Sequence, residues 1–418
     1  MGDSLVRWLV HMLSQRFGIS GVSREAWALL GGNTVQAVGL GLFFPILPLF
    51  VLSRHGSFLL IGIIGAAALF GNMLTQGPGG WFADTHDRRA IVIGTMAAYG
   101  LFFFVYLLPI PVDFLPVVRF AHAGIGGFYQ PAARALLADV TTPDRRGAVF
   151  GHWQASNTGG FLFGPVLGGV LAAFSLGYVF VAAAIACLLG ALALLVWLPR
   201  IVRSAPAAAH RNDPPANIGL RRMFWLLLPA MLAGAAWQFA GGTYGSMWSL
   251  YVTALGGSTV VVGLTFSLYS LPIVLFSGAA GHLTDRFGTR SMVALSVGGL
   301  GAFALLYTVT RSIPLVCVIG VIEGTATLTG FPAVMAYVSR QVGSEQQGRA
   351  QGMFSMFTAG GQALGALGGA FLFGFGIAWP FVAVAVVCFV SLVAVPLFRP
   401  GDSPLQPPLA KSPSLAEV

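Results

Sequence analysis

Charged residues are scarce in this chain of 418 residues: only 8% are Asp, Glu, Lys or Arg, whereas 56% are hydrophobic. A soluble protein of this length could not cover its surface with so few charges. Two long stretches, Gly147 to Pro199 and Met223 to Thr284, contain no charged residue. Each is far longer than the ~20 residues that cross a bilayer once, so each is expected to cross twice. The composition therefore predicts an all-α membrane protein.

Lysine and cysteine are also rare, which argues against several other classes of protein. The only lysine is Lys411, so the chain has no G-x-x-x-x-G-K-[ST] phosphate loop, and direct ATP drive is not expected. The three cysteines, Cys187, Cys317 and Cys388, all fall inside predicted spans, which indicates packing rather than a disulfide or metal framework. No Ser/His/Asp set or metal cluster marks an enzyme. Neither a cofactor nor a metal is expected.

The apolar segments predict twelve transmembrane helices. Their approximate limits are 27–52, 58–82, 90–112, 114–138, 148–174, 176–199, 223–253, 259–282, 291–310, 314–338, 348–374 and 376–398. An even number of spans puts both termini on one side, and all but four of the 22 Lys and Arg residues fall on that side or in its loops. Because Lys and Arg concentrate in cytoplasmic loops, both termini are expected in the cytoplasm. The net charge of +9 thus reflects topology, and no nucleic-acid partner is expected.

The two halves of the chain repeat each other at one ungapped offset of 201 residues, which places Gly62 on Gly263 and Pro131 on Pro332. Five domains are predicted: a cytoplasmic N-terminal segment with a possible interfacial helix (1–26), a six-helix bundle (27–199), a cytoplasmic linker (200–222), a second six-helix bundle (223–398) and a disordered cytoplasmic tail (399–418). Parallel six-helix repeats are a transporter architecture in which the substrate binds between the halves.

Three motifs resemble those of a known family. The segments GGWFADTHDRRAIV after the second predicted span and GHLTDRFGTRSMV after the eighth resemble the loop signature of the major facilitator superfamily. The segment GHWQASNTGGFLFGPVLGG, residues 151–169, is similar to the fifth helix of that superfamily's drug/proton antiporters. Arg119 with Gly124 resembles the family's intramembrane arginine. The resemblance covers residues 27–398 and implies two pseudosymmetric bundles that export a hydrophobic or amphipathic, drug-like molecule by proton antiport with alternating access.

The glycine-rich fifth span also has a direct physical interpretation. Glycines spaced along one face let a neighbouring helix approach closely, and an interior proline removes a backbone hydrogen bond and bends the helix. A bent, smooth strip of this kind is predicted to act as a hinge; the alternative is static close packing. The predicted hinge residues are Gly151, Gly160, Gly164, Pro165, Gly168 and Gly169.

The two loop signatures predict a latch on the cytoplasmic side. Its expected members are Gly80, Asp84, Arg88, Arg89 and Asp139 in the first half and Asp285 and Arg290 in the second. Asp84 is expected near the amino end of the eleventh span, where the helix dipole stabilises a carboxylate. Arg88, and Arg89 as an alternative, is expected to pair with Asp139. Arg340 occupies the position equivalent to Asp139, so Arg290 lacks an acidic partner and the latch is expected to be strong only in the first half. The alternative is that the loops are solvated and their ion pairs contribute little.

Ionisable residues inside the spans form the predicted polar centre of the cavity. Glu323 is the only carboxylate well inside any predicted span, and the offset places His122 on it, one turn from Arg119. Burial favours a protonated carboxyl group and a nearby cation favours the carboxylate, so Glu323 is predicted to carry the proton. The alternative is a structural ion pair with Arg119. The first predicted span carries no Asp or Glu, so a uniporter that moves its substrate without protons is a second alternative.

The remaining cavity wall is predicted to be mainly aromatic, as in sites that bind lipophilic molecules by contact area and stacking. The predicted lining residues are Asn33, Gln36, Phe44, Tyr129, Trp237, Gln238, Tyr244 and Trp248. Two alternatives remain: a carrier for a metabolite such as a sugar or an organic anion, and a non-transporting receptor on the same fold. The expected partners are a small-molecule substrate, protons and the lipid bilayer. The chain is expected to be a monomer in the plasma (inner) membrane.

Overall fold

The computed structural model describes residues 23–142, 145–198, 219–342 and 346–398. The predicted interfacial helix near the N-terminus, most of the predicted linker and the predicted tail lie outside these residues. Within them the chain forms α-helices and short 3-10 turns and no strand. The predicted all-α architecture is confirmed.

Six helical spans come from the first half of the chain. They are α1 (Arg24–Phe43, continued after a turn by Leu47–Ser53), α2 (Phe58–Thr85), α3 (Arg88–Phe102, with the turn Phe103–Leu107), α4 (Leu115–Asp139), α5 (Arg146–Phe174) and α6 (Leu176–Trp197).

Six further spans follow from the second half. They are α7 (Leu220–Ala254), α8 (Thr259–Phe287), α9 (Thr289–Val309), α10 (Ile313–Thr327, continued after a break by Gly330–Arg340), α11 (Gln347–Phe373) and α12 (Trp379–Ser391, with the turn Leu392–Leu397).

Eleven of the described spans are long and apolar enough to cross a membrane by length and composition alone. The twelfth is α4, whose hydropathy is lowered by Arg119, His122 and Arg134. This helix is held against α2 through glycines: a Cβ on Gly71 would meet the backbone of Phe120, and a Cβ on Gly79 would meet that of Gly127. The polar helix is therefore packed inside the first bundle rather than left to face lipid.

The internal repeat is visible in how the helices begin. Ser57 caps α2 by accepting from the backbone N–H of Leu60, and Ser258, at the equivalent position, caps α8 by accepting from Val261. Such caps satisfy backbone donors that have no partner within the helix. The offset seen in the sequence is thus carried into the local structure.

The two halves meet at one end of the molecule and separate at the other. We call the end that holds Thr85, Arg88 and Asp139 the basic end, and the opposite one the far end. Near the far end, Thr259 Oγ1 of α8 donates to the carbonyl of Gly169 of α5 at 2.8 Å, and a Cβ on Gly62 of α2 would meet the backbone of α11. The basic end instead holds cavities lined by both halves.

Candidate functional site

Glu323 lies in α10, five residues before the helix break, and its side chain is buried. The carboxylate oxygen Oε2 accepts a hydrogen bond from the hydroxyl of Tyr307 of α9 at 2.8 Å. The Tyr244 side chain of α7 lies beside the same carboxyl group. Neither Oε1 of Glu323 nor the Tyr244 hydroxyl has a hydrogen-bond partner in the described structure. Oε1 therefore has the Tyr244 hydroxyl beside it, without the geometry of a closed hydrogen bond.

Glu323 lines a cavity of about 810 Å³. The wall is mostly aromatic, and four of the predicted lining residues belong to it: Phe44, Trp237, Tyr244 and Trp248. The indole N–H of Trp248 donates to Thr265 Oγ1 at 2.9 Å, which fixes the ring against the wall. An apolar cavity with one carboxyl group can hold a lipophilic molecule by contact area and orient it through one polar contact.

His122 occupies the equivalent position in α4, but it lies away from this cavity. Its ring is fully buried, with Nε2 at 3.0 Å from the carbonyl oxygen of Tyr99 and Nδ1 at 3.3 Å from the hydroxyl of Tyr106. The Tyr106–His122 pair corresponds by the offset to the Tyr307–Glu323 pair. Both partners of the histidine are thus supplied by the first bundle itself.

An aromatic group lies beside each of these two residues, and its members also correspond by the offset. In the first half they are Phe43, Phe50, Tyr106 and Phe180, of which Phe43 and Tyr106 contact His122, and in the second half they are Tyr244, Tyr251, Tyr307 and Phe381, of which Tyr244 and Tyr307 lie beside Glu323. The centroid distances are similar, with 4.6 Å between the rings of Phe50 and Phe180 and 4.7 Å between those of Tyr251 and Phe381, whereas the interplanar angles of these two pairs are 58° and 73°. We call these groups the two aromatic cages.

Arg119 lies near His122, one turn away on α4, and apart from Glu323. Its guanidinium lies over the Phe43 ring, 4.9 Å from the centroid, and lines two cavities of about 640 and 740 Å³. It forms no ion pair with Glu323, whose Oε2 is bonded to Tyr307. The three predicted residues are therefore not gathered into a single polar centre, because α4 and α10 present them to different parts of the interior.

The other predicted lining residues are divided among several environments. Gln36 lines the 740 Å³ cavity beside Arg119, and Gln238 lines cavities at the basic end. Asn33 is instead buried and donates to the carbonyl of Trp153 and to Ser156 Oγ. Tyr129 is buried and stacks on Trp153 with 6.5 Å between ring centroids. Asn33 and Tyr129 thus join helices of one bundle, and this arrangement corrects their expected place in the cavity wall.

Tyr307 and Tyr269 belong to the Glu323 cavity but were not among the predicted residues. A signal for Tyr307 exists in the sequence, because the same offset that places His122 on Glu323 also places Tyr106 on Tyr307. No comparable signal marks Tyr269.

The predicted latch is present in the first half as a network centred on Arg88. Its guanidinium donates to Asp139 Oδ2 at 2.6 Å, to Asp84 Oδ1 at 3.1 Å and to the carbonyl of Ala83 at 2.8 Å. Asp84 is 72% exposed and is held by Arg88. Arg89 binds elsewhere, donating to carbonyl groups at the end of α6, where the last turn of a helix has unpaired acceptors.

The other residues of the loop signatures lie in different surroundings. Asp87, which stands where the signature has glycine, caps α3 by accepting from the backbone N–H of Arg89 at 2.9 Å. Gly80 has open space where a Cβ would lie. Arg290 is exposed, and the side chain of Asp285 lies outside the described residues.

The glycines of α5 form a contact strip. A Cβ on Gly160 would meet Ala37, one on Gly164 would meet Gly41, and one on Gly168 would meet the carbonyl of Leu42, all on α1. The strip then continues onto the other half, since a Cβ on Gly169 would meet Thr259 of α8 and one on Gly263 would meet the carbonyl of Pro165. Gly151, by contrast, has no neighbour within 4 Å.

Metal ligands are not clustered in the described part of the chain: no three or more His, Cys, Asp or Glu side chains come together there. The functional groups available are instead one buried carboxyl group, one buried guanidinium and a set of aromatic rings.

Comparison with known proteins identifies the family. The sequence model of the Major Facilitator Superfamily matches residues 29–247 and 230–417, which together cover nearly the whole chain. The chain belongs to the Major Facilitator Superfamily. It is therefore a multi-pass membrane protein of a transporter family, and the fold resemblance drawn from its motifs is confirmed.

The chain is also similar in sequence or structure to individual members of the superfamily. The chain is 25% identical over 374 residues to Multidrug resistance protein 2 of Bacillus subtilis, covering 87% of this chain and 92% of that protein. It is 26% identical over 353 residues to the class C tetracycline resistance protein of Escherichia coli, covering 79% and 85%. Among solved structures, a bacterial homologue of the human lysosomal transporter Spinster, inward-facing and unoccupied, matches with a TM-score of 0.71 at 16% identity, covering 89% and 96%.

Proposed function

We propose that this protein exports hydrophobic or amphipathic small molecules in exchange for protons, by alternating access. The observation that carries the proposal is the buried Glu323 carboxyl group, which is held by Tyr307 through one oxygen and lines an aromatic cavity. The direction of transport is supported by the resistance proteins to which the chain is similar.

Proton movement and substrate movement are coupled because both ligands bind to the Glu323 carboxyl group. A proton and the polar part of a substrate compete for this group, so that each displaces the other. Tyr307 holds the carboxyl group in place in either state, and the aromatic wall excludes water from a neutral or bound carboxyl group. Exchange of this kind produces antiport when the site opens to one side at a time.

The proposed orientation puts the basic end in the cytoplasm of a plasma (inner) membrane. The cavities at the basic end then make the present conformation one that loads substrate from the cytoplasm. Opening of the far end requires the halves to part along α5–α8 and α2–α11. The Arg88–Asp139 network and the glycine strip of α5 are the proposed latch and hinge of that movement.

The test is substrate-induced proton release from acidified inside-out vesicles, followed with a pH-sensitive dye. The compounds include lipophilic cations, neutral antibiotics, sugars and organic acids. Wild-type vesicles are compared with Glu323→Gln and with Asp113→Asn, which removes an exposed carboxylate. We expect lipophilic compounds to release protons from wild-type and Asp113→Asn vesicles and not from Glu323→Gln vesicles.

Three results contradict the proposal in different ways. An equal response from Glu323→Gln vesicles shows that Glu323 does not carry the proton. Movement of labelled compounds across the membrane without any proton flux shows a uniporter, and a response to sugars or organic acids alone shows a metabolite carrier.

A further inference from the structure

Arg119 is a buried cation without a counter-ion. The residue is 8% exposed, and its Nη1 has no hydrogen-bond partner in the described structure. Its neighbours are uncharged groups, namely the Phe43 ring and the hydroxyl groups of Tyr99 and Tyr106. Glu323, the only carboxylate well inside the spans, is engaged by Tyr307 in another cavity. A buried charge is costly unless it is paired, so an unpaired guanidinium that faces a cavity points to a ligand.

The cavity beside Arg119 suits an anion. Its volume is about 740 Å³, and its wall carries the amide side chains of Gln36, Asn72, Gln130 and Asn157. One amide oxygen, Oε1 of Gln130, is a buried acceptor without a partner in the described structure. Amide N–H groups and a guanidinium are donors that bind a carboxylate, and a guanidinium can bind both of its oxygens at once. No Asp or Glu belongs to this wall as it is described. The site is therefore rich in donors and positively charged.

The same guanidinium also reaches toward the Glu323 cavity. Arg119 lines a second space of about 640 Å³, whose wall includes Phe44, Gly241 and Gly245. These three residues also line the cavity of Glu323. Arg119 and Glu323 thus lie at the two ends of a series of adjoining cavities, with an apolar and aromatic stretch between them.

We propose that Arg119, with the amides of Gln36, Asn72 and Asn157, binds a carboxylate group of the transported molecule. Glu323 binds the cationic end of that molecule, and the apolar stretch between them holds its body. The substrates best suited to the protein are then lipophilic zwitterions. This inference rests on the proposed transport function and adds a second polar subsite to it.

The experiment compares two dyes that differ in one group. Tetramethylrhodamine is a lipophilic cation that also carries a carboxylate, and its methyl ester has the same ring system with the carboxylate masked. Binding of each is measured by fluorescence anisotropy on purified protein in lipid nanodiscs without a proton gradient, so that the result does not depend on coupling. The variants are Arg119→Met, Arg119→Lys and Arg54→Met, the last removing another guanidinium that lies over a phenylalanine ring.

We expect the wild-type protein to bind the acid roughly tenfold more tightly than the ester, as charge-assisted hydrogen bonds require. Arg119→Met should abolish this preference, whereas Arg119→Lys should keep most of it and Arg54→Met all of it. Glu323→Gln should weaken both dyes and leave their ratio unchanged. That last result separates the two proposals. If Glu323→Gln vesicles still release protons while the ratio of the two dye affinities is unchanged, the antiport role of Glu323 is contradicted and the carboxylate subsite is not.

Three results overturn the subsite. They are equal binding of the two dyes to the wild-type protein, a preference that survives in Arg119→Met, and a failure of both dyes to bind. Replacement of chloride by gluconate provides a further check. If the removal of chloride raises the affinity for the ester as much as for the acid, and does so only when Arg119 is present, the site binds free chloride. It then does not bind the carboxylate of the substrate.

Discussion

Tyr307 is the residue that fixes the geometry of the Glu323 carboxyl group. Its hydroxyl donates to Oε2, and its ring packs in the second aromatic cage against Trp248 and Phe381. The tyrosine therefore acts both as a donor and as part of the wall. Loss of the hydroxyl removes the hydrogen bond to Oε2 while the ring packing is kept, and it leaves only the Tyr244 hydroxyl beside the carboxyl group.

We predict that Tyr307→Phe lowers proton-coupled efflux at least about tenfold, since a hydrogen bond to a charged group contributes roughly 1.5–3 kcal/mol. The matched control is Tyr106→Phe, which removes the equivalent hydroxyl from His122 in the first half. Because His122 lies away from the Glu323 cavity, the control should keep efflux within about twofold. The efflux rate of a fluorescent substrate from intact cells is measured for both variants. A larger loss of efflux in Tyr106→Phe than in Tyr307→Phe contradicts the prediction.

The sequence predicts some of the site residues and misses others for physical reasons. Glu323 is conspicuous because acids are rare within spans, and its partner Tyr307 could have been found from the repeat. Asn33 and Tyr129 have the polarity of lining residues, but they bond within one bundle. Polarity shows that a side chain avoids lipid; it does not show whether the side chain faces a cavity or a neighbouring helix.

At the scale of single helices, α5 is the element whose sequence most directly specifies its packing. The spacing of Gly160, Gly164 and Gly168 brings one face of the helix onto α1, where the backbone of Gly41 opposes Gly164. The sequence predicted this smooth strip. It could not predict the partner helix, because a glycine face shows how closely a neighbour approaches and not which neighbour it is.

We predict that Gly168→Ala destabilises the protein by roughly 1–3 kcal/mol, the usual cost of overpacking, because its Cβ would clash with the carbonyl oxygen of Leu42. Gly151→Ala is the matched control on the same helix, since nothing lies within 4 Å of its Cβ. Alanine also favours the helix by roughly 0.5–1 kcal/mol, so the control should be neutral or stabilising. Thermal unfolding of the two purified variants measures the difference in their stability. Equal Tm values for Gly168→Ala and Gly151→Ala contradict the prediction.

The whole molecule is asymmetric along the axis that runs from the far end to the basic end. Contacts between the halves gather at the far end, and cavities lined by both halves gather at the basic end. Hydropathy, charge distribution and the internal repeat were sufficient to predict twelve spans in two bundles. The side that is closed could not be predicted, since one sequence must support both closed arrangements if access alternates.

We predict that a disulfide across the far end stops transport. A Cβ on Gly65 would lie 3.2 Å from that of Ala366, close to the separation in a disulfide. With the three native cysteines replaced by alanine, Gly65→Cys with Ala366→Cys should cross-link under mild oxidation and lose transport. A reducing agent should restore it. The control pair, Gln154→Cys with Phe331→Cys, spans the open cavity and should cross-link much more slowly. Undiminished transport by the fully cross-linked protein contradicts alternating access through the far end.

The two aromatic cages show what the internal repeat keeps and what it changes. Four ring positions correspond between the halves at similar centroid distances, yet the polar residue beside them is histidine in one half and glutamate in the other. The same ring positions thus accommodate two different polar residues, so the chemistry of a half can change at one position while the rings around it stay in place.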